Sequence, residues 1–278
     1  MKWNIVTDSS CDLFDLEVPN ESVSFSSVPF VINVGNKDFL DDSSLNTKEL
    51  IDSMEMSDKA GHTSCPSPHT WYKQFKKADI SIAITISGKL SGSYRSACVA
   101  RNMIMDKYPD KRIAVIDSYS AGAEITLLVR KLCSFIVSED DFDTVVDALK
   151  QYMNHTHVVF ALSSFNNLIK SGRMNKLSGF IANKLGFWGI GIGSEQGTIK
   201  IKKKVRGSKK ALEVILNDMK ERGFSQGMVV ISHCHNRKFA ENLKTAIQEI
   251  WHNEDVTIMP TRGLCSYYAE KGGLIVGF

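Results

Sequence analysis

The sequence predicts an α/β protein in two parts, with a parallel sheet in residues 1–152 and a mixed sheet in residues 153–278. Three observations lead there. Short apolar runs are each followed by a polar loop and then a helical stretch, the order of a parallel sheet with crossover helices. The second half interrupts that order with a strand, the turn Glu195-Gln196-Gly197 and another strand, which makes its sheet mixed. A chain of 278 residues suits one large domain or two ordinary ones.

Trp3 to Thr7 is apolar and stops at Asp8-Ser9-Ser10, a buried strand with a polar loop at its C-terminal end. Val28 to Val34, Gly35-Asn36 and Lys37 to Leu40 read as one hairpin. Thr47 to Met56 and Thr70 to Ala78 read as helices, with Pro66 and Pro68 restarting the chain between them. Ile80 to Ile86 is β-rich, Ser91 to Lys107 is amphipathic, and Arg112 to Ile116 is a strand ending at Asp117-Ser118. Glu124 to Val137 is a largely apolar helix.

Past residue 153, Val158 to Leu162 is a strand, and a short helix ends at Lys170-Ser171-Gly172-Arg173. Ile190 to Gly193 and Thr198 to Val205 pair as an antiparallel hairpin. Lys209 to Arg222 and Arg237 to Trp251 are helices on either side of a strand at Met228 to Ser232. Val256 to Met259 and Leu274 to Val276 are strands around a short helix near Tyr267. No composition-biased linker separates the halves, so they are expected to share an interface.

At 43% hydrophobic and 23% charged, the chain can bury a core without disulfides. A net charge of +3 is too mild to require a polyanionic partner. Cys11, Cys65, Cys98, Cys133, Cys234 and Cys265 are scattered without a CxxC pair, which argues against a zinc ribbon and fits a reducing compartment. No signal-peptide stretch follows Met1, and no run of about 18 apolar residues occurs. A cytoplasmic protein is expected, and a monomer, for want of an amphipathic pairing element.

No GxxxxGK[ST] phosphate loop is present, and Gly189-Ile190-Gly191-Ile192-Gly193 falls on a strand rather than at a strand-to-helix turn. His233 and His235 would share one face of a strand, but a metal needs more ligands than two. Neither a metal nor a cofactor is expected. Lys200, Lys202, Lys203, Lys204, Arg206, Lys209 and Lys210 form a basic run without an acid. It reads as the solvated face of a hairpin strand and helix start, or as a docking patch for an acidic protein or an anionic membrane surface. No nucleic-acid motif accompanies it, so no nucleic-acid partner is expected.

Two segments carry the chemistry: Thr63-Ser64-Cys65-Pro66-Ser67 and Leu90-Ser91-Gly92-Ser93-Tyr94. Each is expected in a loop where a helix begins, offering hydroxyls and N–H groups but no charged side chain. Helix starts hold anions through unpaired N–H groups and a partial positive charge. The same hydroxyls serve equally as N-caps, and one residue can do both. Ser9, Ser10, Asp117 and Ser118 lie at strand C-termini, where ligands of open sheets gather or where loops bond to themselves.

In order along the chain, these segments resemble the DegV family of bacterial fatty-acid-binding proteins. The resemblance rests on Ile5-Val6-Thr7-Asp8-Ser9-Ser10-Cys11-Asp12-Leu13, Val28-Pro29, the two segments above, Val115-Ile116-Asp117-Ser118, Lys170-Ser171-Gly172-Arg173 and Lys204-Val205-Arg206. It implies a two-domain fold with one long-chain fatty acid of the palmitate, stearate or oleate class buried between the domains. Domain 1–152 would supply the carboxylate-binding loops and domain 153–278 would cover the acyl chain. The resemblance implies that Thr63 and Ser91 hold the carboxylate, with Ser64 and Gly92 beside them, and that Arg173 works at the pocket mouth or with a partner.

It further implies a carrier without catalytic residues of its own, which presents the carboxylate to a separate ATP-dependent fatty acid kinase. The chain departs from the family at Cys65, where a Gln is usual, and at Cys265, which takes the place of a His tied to the head-group end and the pocket mouth. It also has Phe187-Trp188 where a Lys-Pro pair is frequent. The expected tail-lining residues are Phe160, Leu162, Phe165, Ile169, Phe180, Phe187 and Trp188. Burying one methylene is worth roughly 0.8 kcal/mol, while a buried carboxylate needs charge-assisted hydrogen bonds. Two other readings remain: a small-molecule hydrolase or transferase using the same cleft, and a lipid store or sensor without kinase coupling.

Overall fold

The computed structural model describes residues 2–18, 21–57, 59, 61–139, 141–174 and 186–278. In chain order it runs through β1 (Trp3–Asp8), β2 (Val23–Val28), β3 (Val31–Val34), β4 (Lys37–Leu40), α1 (Thr47–Met56), β5 (His62–Ser64), α2 (Pro68–Phe75), β6 (Ile80–Thr85), α3 (Ser93–Lys107), β7 (Arg112–Asp117), α4 (Ala123–Ser138) and α5 (Phe142–Met153). It continues with β8 (Val158–Leu162), α6 (Asn166–Lys170), β9 (Phe187–Gly193), β10 (Ile199–Arg206), α7 (Ser208–Glu221), β11 (Val229–His233), α8 (Arg237–Trp251), β12 (Val256–Pro260), α9 (Gly263–Ala269) and β13 (Leu274–Gly277).

The first sheet is parallel, in the order β2-β1-β6-β7. Helices cover both of its faces, so β1 and β6 are buried at every position and read as unbroken apolar runs. The second sheet is mixed, in the order β10-β9-β8-β13-β11-β12, with β11 and β12 its parallel pair. A small antiparallel sheet, β4-β3-β5, sits apart. This is the α/β architecture expected, parallel first and mixed second.

The halves are not separate bodies. Helix α4 packs on β1 and β6 of the first sheet and on β11 and β13 of the second. Val230 and Leu264 accordingly belong to the same apolar core as Ile125, Leu128 and Leu132. Gly277 lets β13 approach α4, since a Cβ there would lie 2.6 Å from the Glu124 backbone.

Three local expectations are corrected. Val28 to Val34 is not one strand. Pro29 supplies no N–H and fixes its φ, and the chain changes sheets there: β2 stays in the parallel sheet while β3 pairs with β4 and β5. Second, α5 had no sequence assignment, although Asp141 caps it by accepting the Thr144 N–H at 2.9 Å. Third, β11 ends at His233, and His235 has φ +50, so the two imidazoles do not share a strand face.

Candidate functional site

The parallel strands deliver polar loops to one edge of the first sheet. Asp8, the last residue of β1, is fully buried, and burial raises its pKa against four hydrogen bonds that lower it. Its carboxylate accepts Ser93 Oγ at 2.6 Å, Ile86 N at 3.1 Å and Ser10 N at 3.2 Å, with Ser10 Oγ also donating. Asp117, at the end of β7, accepts Gly88 N at 3.1 Å and Tyr119 N at 3.0 Å. Two strand-end carboxylates thus fix the loops after β1, β6 and β7.

Thr63 does not start a helix. It lies on β5 opposite Ile32, and α2 begins later, at Pro68, with Ser67 as its N-cap. Ser91 precedes α3 by two residues and accepts the Ser93 N–H at 3.2 Å. Ser96 Oγ donates to Pro66 O at 2.6 Å and ties the two segments together.

They meet at a cavity of about 400 Å³ lined by Thr63, Ser64, Cys65, Ser91 and Gly92. That volume is within the usual range for small-molecule sites. The loops at Ser10, Ile86 and Tyr119 to Ala121 also reach it, at the C-terminal ends of parallel strands. Its other wall is one face of the second sheet: Val158, Phe160, Leu162, Ile199 and Ile275.

Alternation along β9 decides which apolar residues face the cavity. Gly189 and Gly191 pair with Leu162 and Phe160 on the cavity face. A Cβ at Gly191 would stand 2.3 Å from the Phe160 ring, so glycine makes room for it. Trp188, Ile190 and Ile192 therefore point away, and Trp188 packs edge-on to Phe239 with centroids 5.0 Å apart. The register shift between Ile201 and Lys203 turns β10 over. Ile199 and Ile201 side with Phe160, while Val205 joins the opposite core.

Of the expected tail residues, Phe160 and Leu162 line the cavity, and Phe165 and Ile169 pack behind them. Phe187 and Trp188 do not line it: Trp188 has the wrong strand parity, and Phe187 lies beneath the charges of Lys204 and Arg206. Phe180 is outside the described residues. Leu168, from the same apolar stretch, also lines the cavity, while sequence reasoning missed Ile199, Ile275 and Tyr268. The strand alternation could have found Ile199, but nothing local marks Tyr268.

The polar end of the cavity is compact. Thr63 Oγ1 and Tyr268 OH are 2.8 Å apart. Arg173 donates from Nε to Leu90 O at 3.2 Å and from Nη1 to Ser171 O at 2.6 Å. Among the described residues no carboxylate pairs with it. Cys265 lines the cavity from within rather than at an exposed mouth: it is 5% exposed, and its thiol donates to Ser10 O at 3.3 Å. Burial first, and the nearby Asp12 charge second, push its pKa well above the ordinary thiol value, which disfavours the thiolate.

A second cleft of about 840 Å³ is lined by Glu124, Lys150, His157, Glu195, Lys200 and Arg222, a poor surface for an alkyl tail. Within the basic run, Lys202 pairs with the buried Asp218 at 2.6 Å and with Glu221 at 2.5 Å, which takes it out of any free positive face. No described helix is long and apolar enough to cross a membrane.

Helix α9, which carries Cys265 and Tyr268, is anchored to the N-terminal half. Asp41 accepts Gly263 N at 2.8 Å and Leu264 N at 2.7 Å. Arg262, 2% exposed, donates to Leu13 O and Ser27 Oγ at 2.8 Å and to Asp41 O at 2.5 Å. Its backbone N–H donates to Asp12 Oδ1 at 2.9 Å.

Burial pushes the Asp12 carboxyl from 3.8 to about 6. Between those values the folded chain holds a proton that the unfolded chain has lost. Asp12 therefore reduces stability progressively as pH rises from about 4 to about 6, by on the order of 3 kcal/mol in all. Asp12→Asn keeps the acceptor for Arg262 and removes the titration. Urea midpoints measured at pH 4.5 and 7 are expected to fall less with pH in the variant than in the wild type.

A family profile described as "Uncharacterised protein, DegV family" matches residues 2–278. A DegV domain-containing protein of Streptococcus pneumoniae strain R6 is 38% identical over 278 residues, covering 100% of this chain and 99% of that protein. The chain is similar to the crystal structure of the Streptococcus pneumoniae Fatty Acid Kinase (Fak) B3 protein loaded with linoleic acid, with TM-score 0.97, 38% identity and coverage of 100% and 99%. It is also similar to a Eubacterium eligens DegV family protein loaded with heptadecanoic acid, with TM-score 0.95, 32% identity and coverage of 99% and 98%.

Proposed function

This chain belongs to the DegV family, and from that premise we propose that it binds one long-chain fatty acid of the palmitate, stearate or oleate class between its two large sheets. The carboxylate sits at Thr63 and Ser91, with Ser64 and Gly92 beside it. The tail lies along Phe160 and Leu162. Residues 1–152 supply the head-group loops, and residues 153–278 cover the chain.

The observation that carries this reading is the chemical asymmetry of one cavity. Most of its wall is apolar, while one end gathers hydroxyls and the Arg173 guanidinium. Each methylene taken from water contributes roughly 0.8 kcal/mol. The carboxylate regains its lost hydration through charge-assisted hydrogen bonds. The fatty acids held by the two similar crystal structures support the same reading.

The head-group end opens to solvent, since Ser64, Cys65 and Gly92 are exposed while Phe160 and Leu162 are buried. That arrangement supports a carrier role in which a partner fatty acid kinase reaches the carboxylate and this chain supplies no catalytic group. Native mass spectrometry of the purified protein tests the binding. A single excess mass that matches a fatty acid recovered by denaturing extraction is expected. Protein that is bare as purified, and stays bare after incubation with palmitate and oleate, would overturn the reading.

A further inference from the structure

Resting on the fatty-acid reading above, we propose that Tyr268 is a positioning residue of the head-group site: its phenol donates to Thr63 Oγ1 and turns the Thr63 proton toward the bound carboxylate. The two oxygens are 2.8 Å apart, and one proton lies between them. A phenol is the more acidic of the two hydroxyls, so it is the better donor. Once Tyr268 donates, the Thr63 hydroxyl has one proton left, and that proton must point elsewhere. The cavity that both residues line is where an acceptor would meet it.

The pairing is held from both sides. Thr63 is fixed on β5 by its register with Ile32. Tyr268 is fixed because Asp41 holds the start of α9, and because the neighbouring Tyr267 is buried against the small sheet, with Asn167 Nδ2 donating to its carbonyl at 2.8 Å. The Tyr267 ring meets the Tyr268 ring edge-on, with centroids 4.9 Å apart. A hydroxyl oriented before the ligand arrives favours an anionic acceptor over a neutral head group. Tyr268 thus selects acids over alcohols with the same tail.

The test is calorimetric titration of the lipid-free protein with oleate and with oleyl alcohol. Tyr268→Phe is expected to weaken oleate about tenfold, the size of one hydrogen bond to a charged system, and to leave oleyl alcohol within about twofold. Thr63→Val and the double variant Thr63→Val/Tyr268→Phe should bind oleate equally, because Tyr268 acts through Thr63. The carboxylate stretching band of isotope-labelled oleate should shift in Tyr268→Phe, which a packing role would not cause. Equal losses for both ligands, additive losses in the double variant, or an unmoved band overturn the proposal. If the wild type binds oleate and Tyr268→Phe binds it equally well, the proposal alone falls. If the wild type takes up no oleate, the fatty-acid reading falls and the proposal with it.

Discussion

Replacing Arg262 with methionine is expected to lower the stability of the folded chain by about 3–5 kcal/mol, the cost of stranding one member of a buried ion pair. The guanidinium lies 3.7 Å from Asp41, which is fully buried. Its removal leaves Leu13 O, Ser27 Oγ and Asp41 O without this donor. Asp41 already titrates above the ordinary carboxylate range because burial outweighs the Arg262 charge. Without that charge its ionised form is harder to keep. Methionine restores much of the volume, so the loss reads as electrostatic and hydrogen-bonding rather than as a cavity. Urea denaturation at neutral pH measures it. Adding Asp41→Asn to Arg262→Met should recover part of the loss, since the stranded charge is gone. A loss below 1 kcal/mol for the single variant would mean that the pair is not what anchors α9.

The second large effect is on binding. Thr63→Val and Ser91→Ala together are expected to weaken long-chain fatty acid binding by about 10²- to 10⁴-fold. A hydrogen bond to a charged group contributes roughly 1.5–3 kcal/mol, and two would be lost. Neither substitution touches the apolar wall, so a fatty alcohol should lose much less. Ser91→Ala also removes the acceptor for the Ser93 N–H, a single local bond at the start of α3. Fluorescence displacement of a labelled fatty acid reads both variants. Wild-type affinity in the double variant would place the carboxylate elsewhere.

Much of the fold was legible because local and global signals agree. Thr47–Met56, Val158–Leu162 and Arg237–Trp251 span the residues expected from periodicity and caps; Asn46, for instance, accepts the Lys48 N–H at 3.0 Å. The change of sheet after Val28 was not legible, because strand periodicity does not say which sheet a strand joins. For the site, the segments at Thr63 and Ser91 could be picked out by their hydroxyls, and the structure brings them to one cavity. The tail wall was harder. A run of bulky residues suggested Phe187 and Trp188, yet Trp188 lies on the face of β9 opposite its glycines, and Phe187 is covered by Lys204 and Arg206. Tyr268 was beyond local reading altogether, since its partner Thr63 is 205 residues away.

Helix α4 lies against strands of both large sheets, and Arg130 reaches from it to Thr257 at 2.8 Å. A cut between residues 152 and 153 would leave that helix with an apolar side facing water, and neither fragment would hold a finished interior. The two sheets therefore share one apolar core through α4. On the proposed reading, a fatty acid between those sheets would touch both and bind a surface that the unfolded chain does not possess. Loading and folding then draw on a single equilibrium: the holo form resists unfolding in proportion to ligand supply, and the empty form is the one that proteases meet first.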